Sequence, residues 1–286
     1  MKTLSQKSWG LLVFKALLFI LLLLYAISLV IPLLWTFLTA LKSQVEYSTY
    51  NVNGLPEKWL FSNFALAFTE LNVDGSNLFA MIFNSVWYTV GGVLIGMMVS
   101  SMVAYVTAKY EFPGRRVLYG IALVIMMIPI VGSTPSQYRL YSQLGILDSP
   151  AFLITFASGF GFNFLVLYAY FKSLPWSFAE AAFIDGAGHV KVFFKIMMPQ
   201  AISTISALAI VAAITSWNDS GGPLLFLKSY PTLASGLYMF QVMTTRQLNM
   251  PVLYAGLLMS AVPMLVLFSL FSSKIMDMSL GGGLKG

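Results

Sequence analysis

Long apolar runs separated by short polar islands set the rhythm of this chain. Six runs come near the length at which an α-helix crosses a hydrocarbon layer, at roughly residues 11–38, 81–108, 117–135, 150–171, 201–217 and 251–273. Lipid offers no hydrogen bonds, so each run must satisfy its own backbone groups, and the pattern predicts an all-α polytopic membrane protein with about six transmembrane helices. Pro32, Pro129, Pro135 and Pro263 fall inside or at the ends of these runs, where a missing N–H predicts a kink or a stop. Gly91, Gly92 and Gly96 line one run at a spacing that lets helices approach closely. Three polar stretches, 39–80, 136–149 and 219–250, are too hydrophilic to span and read as connections on one side.

Composition sharpens this picture. Hydrophobic residues make up 58% of the chain and charged ones 9%, so the bilayer is the solvent and a single membrane domain covers residues 1–286. If the N-terminus is cytoplasmic, 11 of the 16 basic residues fall inside, among them Lys2, Lys7, Lys109, Arg115, Arg116, Lys172, Lys191 and Lys195. Lys42, Lys58, Arg139, Lys228 and Arg246 fall outside, an asymmetry that agrees with the positive-inside rule and puts both termini in the cytoplasm. The first run is too long for the apolar core of a signal peptide and is expected to remain as an anchor. Cysteine is absent, which removes disulfides, thiolate nucleophiles and cysteine-ligated metals. The net charge of +6 follows topology, with no aromatic-basic stripe that would point to nucleic acid.

One polar island stands apart. Residues 175–200 read PWSFAEAAFIDGAGHVKVFFKIMMPQ. Ser177 and Glu180 have capping-box spacing for a short helix, and Gly186 and Gly188 are placed to end it. From His189 to Met198, Val192, Phe193, Ile196 and Met197 share one helical face and Lys191 and Lys195 the other, and Pro199 closes the unit. An interfacial amphipathic helix is the plainer explanation of such a segment.

Glu180-Ala181-Ala182, Asp185-Gly186-Ala187, Gly188, Ile196 and Pro199 together resemble the EAA loop of the membrane subunits of binding-protein-dependent ABC importers. The resemblance implies a type I ABC importer permease fold and makes 175–200 a cytoplasmic coupling loop, with Glu180, Ala181, Ala182, Asp185, Gly186, Gly188 and Pro199 as ATPase-coupling residues. In this picture Ala181 and Ala182 keep the helix slim enough for a partner groove, Glu180 caps it, and Gly188 allows the bend. Ser216-Trp217-Asn218-Asp219, Pro223-Leu224, Pro231-Thr232-Leu233, Asn84-Ser85, the segment from Gln143 to Ser149, and the Gly-Lys-Gly tail at 281–286 are similar to the carbohydrate, maltose-type subgroup. The implied partners are a second permease subunit, two ATP-binding subunits, an extracytoplasmic solute-binding protein and membrane lipid, in a bacterial-type inner membrane. Two features depart from the family: Gln200-Ala201-Ile202-Ser203 after Pro199, and Gly221-Gly222 where bulkier residues are frequent.

The absences agree with a transport subunit that is not an enzyme. There is no phosphate-binding GxxxxGK[ST] loop, so ATP hydrolysis is expected on a separate subunit, and neither a cofactor nor a metal is expected, His189 being the lone histidine. The apolar runs carry almost no charge, which disfavours a proton-coupled carrier and, with no paired nucleophile or aspartates, an intramembrane hydrolase. Neutral hydroxyls and an amide remain as substrate-path candidates: Ser203, Thr204, Ser206, Thr215, Ser216 and Asn218, with Ser100 and Ser101 beside them. Each has interhelical hydrogen bonding as its alternative role. The expected function is carbohydrate import. Import of another small polar solute, or an ATP-independent carrier or channel, is the alternative.

Overall fold

The computed structural model describes residues 9–128, 132–243 and 249–281. Lys2, Lys7, Pro129, Arg246 and the tail at 282–286 lie outside the described residues.

In chain order the helices are α1 (Trp9–Ala40), α2 (Gln44–Thr49), α3 (Ser62–Glu70), α4 (Leu78–Lys109), α5 (Arg115–Met127) and α6 (Thr134–Gln143). A 3-10 helix (Pro150–Phe156) precedes α7 (Phe162–Ser173), α8 (Ser177–Ile184) and α9 (His189–Val192). A π-helical turn (Phe193–Met197) leads into α10 (Met198–Gln200), α11 (Ile202–Trp217), α12 (Gly221–Phe226), α13 (Leu233–Met243) and α14 (Met250–Gly281). Among the described residues the one departure from all-α is a short hairpin of two residues per strand, β1 (Asn72–Val73) against β2 (Ser76–Asn77), turned by Asp74-Gly75 with both φ positive.

Among the described residues three helices are long and apolar enough to cross a membrane, Gly10–Ala40, Leu78–Lys109 and Met250–Phe271. They match the first, second and sixth predicted runs. The fifth run is the 16-residue α11, which reaches spanning length only when joined to His189–Gln200 across a 77° bend. The third and fourth runs are not continuous helices. α5 stops after 13 residues, just ahead of Pro129, and Pro135 opens α6 instead of closing α5. The fourth run divides into the 3-10 helix and α7 at Ala157–Gly161, where Gly161 takes φ 129° and ψ −164°, which no helix can include. Pro32 and Pro263, by contrast, sit inside unbroken helices.

The chain divides into two compact units. The first holds the described residues up to 71 and those from 249 to 259. The residues that follow α1 form a polar knot. Lys42, 1% exposed, donates from Nζ to the carbonyls of Asn51 (2.6 Å) and Val52 (3.0 Å). Glu46 accepts from Asn51 Nδ2 and the Glu57 N–H, and Asn63 Nδ2 donates to the carbonyls of Ala40 and Lys42. Burial pushes the Lys42 ammonium below its ordinary pKa, an effect the Glu46 charge opposes.

The second unit, from residue 72 to 243 and from 260 onward, is built around α4, which packs chiefly against α7 and α11. Small residues permit its close packing on the 3-10 helix as well. A Cβ on Gly91 would stand 2.5 Å from Leu153, and one on Gly92 would stand 3.1 Å from the Phe156 ring. The principal core cluster includes Tyr105, Phe164, Leu167, Phe171, Ala179, Val192, Phe193 and Met197, so the 175–200 island is part of the fold and not an appendage to it.

Candidate functional site

The island begins where Leu174 turns the chain extended and Pro175 excludes a continuation of α7. The capping box expected of Ser177 and Glu180 is not formed. Trp176 occupies the cap position in a helical conformation, its carbonyl accepts from the N–H groups of Ala179 (2.9 Å) and Glu180 (3.1 Å), and Ser177 is already inside the helix. A hydroxyl caps only from the non-helical residue before the first turn, so starting one residue early removes the geometry.

The end of α8 is sharply defined. Gly186 N–H donates to Phe183 O (3.0 Å) and Ala187 N–H to Ala182 O (2.9 Å), the paired bonds of a Schellman motif, with Gly186 at φ +78°. Gly188, expected to allow the bend, lies at φ −76° and ψ 162°, an extended conformation open to any residue, with nothing within 4 Å of a Cβ built there. The conformational demand therefore falls on Gly186. Gly186→Val is expected to destabilise the α8 stop by about 1–2 kcal/mol and Gly188→Ala by under about 0.5 kcal/mol. Hydrogen exchange at the amides from Ala182 to Ala187 measures the difference, and equal protection in the two variants would contradict it.

The second half of the island keeps its predicted faces: Val192, Phe193 and Met197 are buried and Lys191 and Lys195 exposed. Its π-helical turn was not legible. Pro199 has no N–H to give Lys195 O, and the widened turn lies directly before it, with Gln200 Nε2 donating to Ile196 O (3.0 Å). Tyr170 hydroxyl donates to Gln200 O, fixing the corner where the chain turns into α11.

α8 presents two unlike faces. Ala179 is fully buried and Ala182, Phe183 and Ala187 are half-buried against the core cluster. Phe178, Ala181, Ile184 and Asp185 form the opposite, exposed face, with Ile184 86% exposed, and the Glu180 carboxylate is exposed beside it without a hydrogen-bond or ion-pair partner among the described residues. Of the two alanines expected to meet a groove, Ala181 faces out while Ala182 leans on its own chain.

The α4 terminus grips this helix on both sides, an arrangement missed from the sequence. Lys109 Nζ donates to Leu174 O just before α8. Tyr110 packs edge-on to Trp176 (5.7 Å between centroids), and its hydroxyl is 2.8 Å from His189 Nδ1 just after α8. His189 also packs on Phe183 at 4.9 Å. Among the described residues no cluster of His, Cys, Asp or Glu could hold a metal ion.

The six substrate-path candidates do not converge. Ser203 and Ser216 are 13 residues apart on α11, about 20 Å along its axis. Ser203 is exposed, and Thr204 and Ser206 are half-buried. Thr215 Oγ1 and Asn218 Nδ2 donate back to Val211 O and Ile214 O of their own helix. Ser216 lines a cavity of about 170 Å³, together with Ser100 and residues of the break before α7.

At the other end of the unit the motifs of the maltose-type likeness interlock. Asn84 Nδ2 donates to Pro231 O (3.0 Å) and Ser85 Oγ accepts from Leu233 N–H (2.7 Å). Asp219 accepts from the Tyr88 hydroxyl (2.8 Å) and Gly222 N–H (3.0 Å), and a Cβ at 222 would come within 2.5 Å of that carboxylate. Asp148 accepts from the N–H and hydroxyl of Ser229. Trp217 Nε1 donates to Ser260 O.

Residues 92–277 match the family described as binding-protein-dependent transport system inner membrane component. The chain is 30% identical to the diacetylchitobiose uptake system permease protein of Streptomyces coelicolor over 92% of its own length and 86% of that relative. To the arabinooligosaccharides transport system permease protein of Halalkalibacterium halodurans it is 29% identical, covering 90% of this chain and 91% of the relative. Its fold matches that in a crystal structure of a bacterial ABC transporter involved in the import of the acidic polysaccharide alginate, with TM-score 0.76 at 23% identity, covering 96% of this chain and 98% of that one. With an island of this geometry between α7 and α11 and a match over that length, the chain belongs to the inner membrane components of binding-protein-dependent transport systems.

Proposed function

We propose that the chain is a membrane-spanning permease subunit of an ATP-driven importer that carries a sugar or oligosaccharide across a bacterial-type inner membrane. It works beside a second permease, with two ATP-binding subunits on the cytoplasmic face and a solute-binding protein outside. The cargoes named for its relatives, diacetylchitobiose and arabinooligosaccharides, support the carbohydrate class.

In this reading residues 1–286 form one transmembrane domain that crosses six times, with both termini and the island inside. α1, α4 and α14 supply three crossings, and the 16-residue α11, about 24 Å long, supplies most of a fourth. The 3-10 helix and α7 add about 14 Å and 18 Å of rise, together near the 30 Å of a hydrocarbon core, and α5 supplies about 20 Å of the remaining crossing.

The observation that carries the proposal is α8: an eight-residue helix with Phe178, Ala181 and Ile184 exposed, held from behind by a buried core. An exposed apolar face on a rigid mount is what a docking element requires. Glu180, Ala181, Asp185 and Ile184 meet the ATPase, Ala182 and Gly186 hold the shape of the helix, and Gly188 and Pro199 frame its exit. Closure of the ATPases displaces α8, and the contacts of Lys109, Tyr110 and the π-helical turn carry that displacement to α4 and α11, turning the cavity from one side to the other.

Because the chain has no cysteine, Ile184→Cys gives a single reactive thiol. An impermeant maleimide should label it in inside-out vesicles and not in right-side-out ones, and the ATP-binding subunits should protect it. Labelling from the outer face, or sugar uptake by purified protein without any ATPase subunit, would overturn the proposal.

A further inference from the structure

Where α4 ends, an apolar groove of about 400 Å³ runs along the surface of the second unit. Met102, Tyr105, Val106 and Tyr110 form one wall and Val190 and Phe194 the other, so the groove follows the chain of α4 for about 12 Å. Met102, Val106, Val190 and Phe194 are exposed. The groove continues into a polar depression of about 480 Å³ in the turn between α4 and α5, bordered by Glu111, Arg115 and Arg116. Tyr110 joins the two: it leads directly into Glu111, and Arg115 Nη1 donates to its carbonyl (3.2 Å).

Charge around this pair of hollows is one-sided. Within six positions of the groove residues stand Lys109, Arg115, Arg116, Lys191 and Lys195, against Glu111 and Asp185. Lys109 is committed to Leu174 O. Arg115 Nη2 is 3.4 Å from the Glu111 carboxylate, whose side chain is 89% exposed, so water screens that pair and the remaining guanidinium donors stay available. Arg116 is exposed and has no hydrogen-bond or ion-pair partner among the described residues.

We infer that groove and depression together bind one anionic phospholipid of the cytoplasmic leaflet, an acyl chain in the groove and the phosphate at Arg115 and Arg116, an inference that rests on the cytoplasmic placement of the island. The order along α4 is that of a lipid: carbon walls toward membrane depth, then cations at the helix end. The groove's 12 Å compares with about 15 Å for the hydrocarbon of one leaflet. A helix of the second permease would fill the groove and leave the arginines unanswered, whereas an anionic amphiphile satisfies both parts. Guanidinium groups take phosphate oxygens bidentately, and a neutral zwitterionic headgroup brings its own cation to the same place. Because Tyr110 and His189 both line the groove, a chain seated there packs directly against the contact that ties α4 to the island.

The test uses the complete transporter in phosphatidylcholine nanodiscs doped with a few mole per cent of a lipid carrying a diazirine midway along one acyl chain. One probe is phosphatidylglycerol and the other phosphatidylcholine. After irradiation, labelled peptides are quantified by mass spectrometry, with those of the exposed α1 as the reference for ordinary boundary lipid. The phosphatidylglycerol probe should label the peptides spanning residues 102–110 and 190–194 about tenfold more than the phosphatidylcholine probe, each arginine near a surface phosphate contributing about fivefold. Arg116→Gln should lower the phosphatidylglycerol yield about fivefold and leave the phosphatidylcholine yield unchanged, and Val106→Trp, which fills the groove, should abolish both. The comparison of the two probes on the wild type carries the test if either variant does not assemble. Equal labelling of the groove by the two probes would mean boundary lipid only and would overturn the site. So would an empty groove with both probes, and a benzophenone side chain at position 106 that then crosslinks to the second permease would identify the occupant as protein. Each of these outcomes leaves the importer reading intact, which fails separately if Ile184→Cys is labelled from the outer face.

Discussion

Ala181→Trp should leave this chain folded in the membrane beside its second permease, yet cut sugar uptake by about 30-fold or more and release the ATP-binding subunits on purification. Ala181 lies on the exposed face of α8 between Phe178 and Ile184, so within its own chain an indole there meets solvent and costs under about 0.5 kcal/mol. Against a partner groove fitted to alanine the same ring is overpacked. Overpacking costs about 1–3 kcal/mol, loss of a central interface contact about 2 kcal/mol or more, and 2 kcal/mol is about 30-fold in an equilibrium constant. Ala182→Trp supplies the contrast, because Ala182 leans on the core cluster and the loop itself should lose protection from proteolysis. Wild-type uptake with the ATPase retained in the Ala181 variant would show that this face docks nothing.

That contrast marks where sequence was legible and where it was not. The motif located the island, and its second half kept the predicted faces because a hydrophobic stripe at helical spacing constrains burial strongly. Within α8 only eight residues carry the pattern, nearly all small or apolar, and periodicity cannot say whether Ala179, Ala181 or Ala182 faces inward. The same limit hid the breaks in the third and fourth runs. An apolar run measures how much lipid-compatible chain is present, not whether its backbone stays helical, and Ser158-Gly159-Phe160-Gly161 interrupts the fourth run ahead of α7 without lowering hydrophobicity enough to show. The long runs of α1, α4 and α14 were read correctly, and the helices continue unbroken through Pro32 and Pro263. The grips at 109–110 and at Asp219 pair residues 65 and 131 positions apart, and a single sequence holds no signal for such distances.

Tyr110→Ala should separate ATP hydrolysis from transport. The α4 terminus meets the α8 segment at its entrance through Lys109 and Leu174 O, at its first turn through Tyr110 and Trp176, and at its exit through Tyr110 and His189. Alanine removes the contacts with Trp176 and His189 at once, a hydrogen bond and two edge-on ring pairs, together about 2–3 kcal/mol, along with the edge-on pair that Tyr110 makes with Tyr105 of α4. α8 keeps its Schellman stop and its buried Ala179, so the docking surface survives and the ATPase subunits stay bound. What is lost is rigidity between the part that is pushed and the part that must move: a displacement of α8 is then absorbed where the clamp was, instead of tilting α4. Uptake is expected to fall about 30-fold while ATPase activity stays within twofold, so that ATP consumed per sugar rises. Tyr110→Phe keeps both ring pairs and loses only the hydroxyl, and should fall about fivefold, with His189→Gln, which restores a hydrogen-bonding side chain, nearer to wild type than His189→Ala. ATPase and uptake falling in parallel in the alanine variant would mean that Tyr110 only supports the fold, and uptake unchanged would mean that the stroke travels through the π-helical turn alone.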